Sequence, residues 1–453
     1  MILIIGAGLS GLSAAWHLRG HDVLVLEKER EPGGLARSVS EDGFTFDFTG
    51  HLLHTRDPQI AALCDRLLGA DQVRLERRAF VQHGDRLVPY PFQANIAALP
   101  DDVRVECVKG FVETLLPGRA PAPGSFDPPA RPLPLSFLNV KTPRGAYALS
   151  FLDWAKATFG DGFTRQFFEP YNAKNFACDV ATISADWVSW AIPKPALEDV
   201  LRGAMAVVDK AFGYNPRFVY PASGGIRRLP DAFARELDCV KTTQTVVAID
   251  AVAKVARLAD GSTVRYDLLL TTQPLPELIA MTTGLDAAAY AAVRKLRWCS
   301  VASFNYGVEG ELGHDRHWVY YPDRALPFYR AGFPTNLTPA MAPPGQTSIC
   351  AEVAYAPDRF PPSADDTELV RDGLVACGAL DDAKRVTRAT RLDLPYAYVL
   401  FDEARRAALP VLFEALVARD VIPLGRYGSW NYLSMEDSIA QGIEAARYAK
   451  GGR

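Results

Sequence analysis

The stretch MILIIGAGLSG, residues 1–11, continued as LSAAWHLRGHDVLVLE to Glu27, decides the fold. Ile2-Leu3-Ile4-Ile5 reads as a buried strand that runs directly into Gly6-x-Gly8-x-x-Gly11. A helix over Leu12–Leu18 follows, then a second apolar strand, Val23–Leu26, closed by the acid Glu27. Each glycine has a physical reason. Gly6 permits the tight turn, Gly8 lets a pyrophosphate approach the backbone, and Gly11 lets the helix pack close to the sheet. The helix N-terminus offers N–H groups and a partial positive charge to the phosphates. Glu27 lies where a carboxylate accepts hydrogen bonds from both ribose hydroxyls. The expectation is an α/β fold built on a Rossmann-type dinucleotide-binding unit.

Bulk properties bound the rest. The 453 residues exceed one simple core and predict two or three domains. A net charge of −4 and the absence of a Lys/Arg block argue against a nucleic-acid partner. The seven cysteines are scattered, without a Cys-x-x-Cys pair or Cys/His cluster, so no metal site and no disulfide framework is expected. The opening apolar run is too short for a signal peptide, and no run approaches a transmembrane segment, so a cytoplasmic protein is expected.

After Glu27 comes Glu31-Pro-Gly33-Gly34-Leu-Ala-Arg37-Ser38. Such a Gly-Gly loop recurs in flavoproteins, where the loop and its arginine lie against the FAD pyrophosphate and ribityl chain. An alternating strand, Phe44–Phe48, delivers His51-Leu-Leu-His54-Thr55. That histidine pair reads as neighbours of a flavin ring, as structural hydrogen-bonders or, with no third ligand in sight, least readily as metal ligands. Residues 56–115 read as helical, interrupted by short strands around Phe80-Val81 and Arg86–Tyr90. Residues 117–134 are rich in Pro and Gly and predict a long surface loop. Residues 150–201 read as aromatic-rich helices. Within them Tyr171-Asn-Ala-Lys174-Asn-Phe176 alternates rings and polar groups too closely for one buried face, which leaves core packing or a ring-stacking site open. From Trp298 to Val353 alternating strands predict an antiparallel sheet, with Tyr320, Tyr321, Tyr329 and Arg330 near a cleft. Near the C-terminus Gly425-Arg426, then Tyr432-Leu-Ser-Met435, precedes a helix over Ser438–Tyr448.

Together these motifs resemble a known group. GAGLSGLSAA…VLEKEREPGGLARS resembles the FAD-binding signature of the amine oxidase and protoporphyrinogen oxidase superfamily. The set His51-Leu-Leu-His54-Thr55, Tyr171-x-x-Lys174-x-Phe176, Tyr220-Pro-x-x-Gly224-Gly225, Gly425-Arg426 and Tyr432-x-x-Met435 resembles the UDP-galactopyranose mutases. The resemblance implies a discontinuous FAD-binding domain (1–90, 211–275, 396–453). It also implies a helical substrate domain (91–210, with the 117–134 loop) and an antiparallel-sheet substrate domain (276–395). It implies FAD held by Gly6, Gly8, Gly11, Glu27, Gly33, Gly34, Arg37, Gly425 and Arg426, with the ring near His54 and Met435. Tyr171, Lys174, Phe176 and Tyr329 would then bind substrate, and His54, Tyr432 and Arg330 would carry the chemistry. The implied substrate is a small molecule, with a nucleotide sugar favoured, and a homodimer is left open. The implied reaction is pyranose/furanose ring isomerisation through flavin N5 in surface polysaccharide or glycoconjugate biosynthesis. The alternative is a FAD-dependent oxidoreductase of the amine oxidase type. Two diphosphate-bridging arginines of the mutases are replaced here by Pro195 and Cys299, and Lys174, Lys194 or Arg330 are candidates to restore the charge.

Overall fold

The computed structural model describes all residues except 120, 207–211, 213–215, 359–362, 364, 365, 452 and 453. Its first sheet is fully parallel, in the order Val240–Lys241, Val23–Leu26, Ile2–Ile5, Leu268–Thr271 and Val421–Pro423. Ile2–Ile5 is the central strand, and helices cover both faces, so its residues form a continuous apolar run rather than an alternating one. The strands come from three distant parts of the chain. The helices Leu9–His17 and Met435–Ala449, from opposite ends of the sequence, pack on each other beside this sheet.

The second large sheet has seven strands, in the order Val386–Val399, Trp298–Glu309, Gln346–Tyr355, Arg330–Gly332, Trp318–Tyr320, Ala79–His83 and Arg86–Pro89. Neighbours are antiparallel except Trp318–Tyr320 with Ala79–His83. This corrects the expectation that residues 1–90 form one unit, because 79–83 and 86–89 pair far from the parallel strands. The helical reading of 56–115 is corrected as well. Helices occupy Pro58–Leu68 and Asp101–Thr114, and Gln72–Glu76 is a strand paired with Arg217–Pro221. The strand Val386–Val399 was not anticipated, because Thr and Arg fill many of its positions and mask the alternation.

The third layer is helical. Phe151–Phe163 passes through a π turn, Thr164–Phe168, into Glu169–Phe176, and Leu197–Met205 packs nearby. Phe92, Phe151, Trp154, Phe159, Phe163, Phe168 and Trp187 fill the core of this layer. Within the Pro/Gly-rich stretch, Ser125–Asp127 pairs with Thr142–Arg144, and the rest is irregular where described. Among the described residues no helix is long and apolar enough to cross a membrane.

Candidate functional site

One cavity of about 890 Å³ runs from the glycine turn to the seven-stranded sheet and the helical layer. At its first end, Gly6 turns off the central strand at φ +98°, and a Cβ there would lie 2.0 Å from Thr272 Oγ1. Gly8 pairs with Gly33 in an isolated bridge, and a Cβ on Gly34 would stand 3.2 Å from the Gly8 Cα. The two glycine segments are thus backbone against backbone, with the cavity open beside them. Gly8 is the N-cap of Leu9–His17 and supplies no side-chain cap, so the first-turn N–H groups face the cavity end without that partner. Gly11 does not line the cavity; a Cβ there would meet Gly6 O at 2.1 Å, so it serves the close packing of helix on turn.

Glu27 is buried, and its carboxylate accepts from Ala7 N–H (2.7 Å) and Glu29 N–H (2.9 Å). A carboxylate has about four acceptor positions, so both oxygens retain capacity for ribose hydroxyls. Arg37 Nε donates to Gly34 O (2.8 Å), and its guanidinium lies over the Phe48 ring. An uncapped helix N-terminus, a glycine cradle and an acid at the second strand fit the pyrophosphate and ribose of FAD.

Further in, the His51–Asp57 segment is pinned by Glu436. Its Oε1 accepts from the backbone N–H groups of Arg56 (2.5 Å) and Asp57 (2.6 Å). His51 and His54 both line the cavity. Burial lowers the pKa of each, that of His51 to about 4, so both imidazoles are neutral at pH 7. Met435 and Tyr432 line the cavity beside them. Gly425 and Arg426 line it too, but much of their polar capacity is used within the protein. Gly425 N–H donates to Gln441 Oε1, and the Arg426 guanidinium reaches the carbonyls of Ala397 and Leu433 beneath the Tyr432 ring.

The far half is a wall of phenols: Tyr90, Tyr171, Tyr320, Tyr329, Tyr398 and Tyr432. Burial raises the pKa of Tyr90, Tyr171, Tyr320, Tyr329 and Tyr398, so these hydroxyls stay protonated and donate. Arg330 is among them, gripped by Glu352: Nε and Nη2 donate to Oε1 at 3.0 and 2.7 Å, and Nη2 to Oε2 at 2.8 Å. Tyr329 Oη donates to the same carboxylate. Burial alone would lower the Arg330 pKa, but Glu352 and the surrounding phenols outweigh it and hold the guanidinium charged. Phe176 lines the cavity. Lys174 does not: its Nζ donates to the carbonyls of Tyr321 and Asp323. Tyr321 is likewise removed, because adjacent strand residues point to opposite faces and it packs in the sheet's other core.

Several cavity residues escaped sequence reasoning: Arg77, Gln93, Tyr90, Tyr398 and Glu352. A charged residue inside the apolar run Ser348–Val353 was a usable signal for Glu352; the others arrive only through long-range pairing. Among the described residues no group of three or more His, Cys, Asp or Glu side chains is arranged to hold a metal.

Known proteins share this fold. The family described as flavin containing amine oxidoreductase matches residues 9–448. A crystal structure of reduced UDP-galactopyranose mutase superposes with a TM-score of 0.88 at 27% identity, covering 99% of this chain and 93% of that one. Putrescine oxidase bound to putrescine superposes at 0.67 with 17% identity, covering 99% and 98%, a likeness of fold alone. A 4,4'-diapophytoene desaturase of Staphylococcus aureus (strain COL) is 27% identical over 122 residues. That match takes in 25% of this chain and only 24% of the desaturase.

Proposed function

Since the chain belongs to the flavin containing amine oxidoreductase family and is a FAD-dependent enzyme, we propose that it isomerises the ring of a nucleotide-linked sugar, as a mutase rather than an oxidase. The observation that carries this reading is the likeness to reduced UDP-galactopyranose mutase along 99% of the chain. The roles of individual residues follow from the site's chemistry. Gly6, Gly8, Gly33, Gly34, Glu27 and Arg37 would hold the cofactor's pyrophosphate and ribose, and His54, Met435 and Arg426 would border its ring. When bound, the reduced flavin supplies a ring-nitrogen nucleophile for the anomeric carbon with no net change of redox state.

The chain's own residues do the remaining work. Tyr171, Tyr320, Tyr329, Tyr398 and Tyr432 supply hydroxyl groups around the sugar and its leaving diphosphate. The neutral imidazole of His54 keeps a second cation away from the ring's edge. Arg330, balanced by Glu352, orders the phenols around it.

Reduced and oxidised protein, each given UDP-galactose under nitrogen, tests the proposal. A second UDP-hexose appears chromatographically with reduced protein only.

Two observations favour a second reading. Tyr398 and Tyr432 face each other with ring centroids 5.6 Å apart and planes 27° apart, and Glu352 cancels the charge of Arg330. Such a pair of rings suits an amine or apolar substrate that donates a hydride. Oxidised flavin bleached by an amine, with no isomerisation of any nucleotide sugar, would establish that reading instead.

A further inference from the structure

A diphosphate needs cationic donors, and the expected ones are elsewhere. Pro195 and Cys299 do not line the cavity, and the Cys299 thiol faces the Asn175 carbonyl. Lys194 lies over the rings of Tyr147 and Trp154, outside the cavity, and Lys174 is held by two carbonyls. Arg330 is matched by Glu352, and Arg426 is spread across the Ala397 and Leu433 carbonyls. Lys28 and Arg37 belong to the opposite end, beside Glu27 and Gly34.

The fourth arginine lining the cavity is Arg77. It follows the strand Gln72–Glu76, its guanidinium lies over the Tyr90 ring with its carbon 4.7 Å from the centroid, and its Nη2 donates to Phe212 O at 2.7 Å. A guanidinium stacked on a ring is pre-oriented, and its planar edge suits phosphoryl oxygens. A row of rings leads inward from it: Tyr90 to Tyr320 at 5.5 Å, then Tyr320 to Tyr171 at 5.1 Å.

Gln93 lines the same cavity three residues after Tyr90, on the short turn Phe92–Ala94, and is 1% exposed. Its Nε2 donates to Pro193 O at 2.7 Å, which fixes the orientation of the amide. Among the described residues its Oε1 accepts no hydrogen bond, although it is buried and the side chain lines the cavity. A buried acceptor without a donor costs free energy unless a ligand supplies one.

We propose that Arg77 reads the phosphoryl group of the substrate and that Gln93 Oε1 accepts an N–H or O–H from the rest of the same molecule. The substrate side thus carries its anion specificity at the Tyr90 corner, not at the positions of Pro195 and Cys299. This inference rests on the nucleotide-sugar reading above.

Calorimetric titration of the FAD-loaded protein with UDP, inorganic pyrophosphate and galactose 1-phosphate tests it. Wild type binds UDP. Arg77→Ala weakens UDP and pyrophosphate by about tenfold or more and flattens the salt dependence, and Arg77→Lys restores part of the loss. Gln93→Met weakens one of the two organic ligands severalfold and leaves pyrophosphate unchanged. Loss for UDP alone assigns the Gln93 donor to the base, and loss for galactose 1-phosphate assigns it to the sugar. An unchanged flavin spectrum and FAD content in each variant establish that it is folded. If wild type binds UDP and Arg77→Ala binds it equally well, the inference is overturned while the nucleotide-sugar reading stands. If wild type binds none of the three, the reading itself fails.

Discussion

Arg330 and Glu352 sit on neighbouring strands in direct register and close on each other through three hydrogen bonds of 2.7–3.0 Å. Their side chains are 19% and 3% exposed, so the pair is largely desolvated. Removing one partner of such a pair costs about 3–5 kcal/mol, because the other charge is left buried and unmatched. Arg330→Met and Glu352→Gln therefore each lower stability by about that much, whereas the combined Arg330→Met/Glu352→Gln change costs less than the sum. Urea unfolding of the four proteins measures the coupling; additive losses would mean the pair is not energetically linked.

On the proposed reading, Glu27 holds the cofactor's ribose. Glu27→Gln keeps the size of the side chain but exchanges charged acceptors for an amide. One amide end must then face donors at Ala7 and Glu29 or at the ribose. FAD affinity falls by about tenfold or more, read as flavin fluorescence released on dilution.

Glu436 couples the C-terminal helix to the histidine turn. Glu436→Ala leaves the backbone N–H groups of Arg56 and Asp57 without their carboxylate. Each unmade bond costs about 1–3 kcal/mol, less where water replaces the partner. The expected outcome is a lowered melting temperature together with a shifted flavin spectrum, because His54 lies on the segment that loosens.

Acid stability follows from His51. Its folded pKa, about 4, lies below its ordinary value because burial, then the nearby Arg426 and Arg330, disfavour the imidazolium more than the Thr49 carbonyl and Glu352 favour it. For a depressed pKa the unfolded chain binds the proton first. The contribution is therefore complete above about pH 6.5 and is lost as pH falls towards 4. His314 and His317, also lowered to about 4 by burial, act in the same window. His51→Gln reduces the pH slope of stability between about 6.5 and 4 by close to one proton, measured by urea unfolding at a series of pH values.

The glycine turn and Glu27 were legible in the sequence because their geometry is local: strand, turn, helix and acid are consecutive. The Gly33-Gly34 loop was legible for the same reason. The far half of the cavity was not. Tyr398 comes from a strand whose alternation is masked by Thr and Arg, and Glu352 meets Arg330 only through strand pairing. Lys174 shares a helix with Tyr171 and Phe176, but its ammonium is taken up by the Tyr321 and Asp323 carbonyls. Helical spacing alone could not show that. Arg77 sits in a segment read as helix that is a strand and its exit.

The most direct test of mutase chemistry follows the visible absorbance of the anaerobically reduced flavoprotein while UDP-galactose is supplied and nucleotide sugars are separated over time. A mutase completes many turnovers to an isomeric UDP-hexose with the flavin reduced from start to finish, and that is the expected result. No isomer from any nucleotide sugar, together with stoichiometric bleaching of the oxidised flavin by an amine, would contradict it.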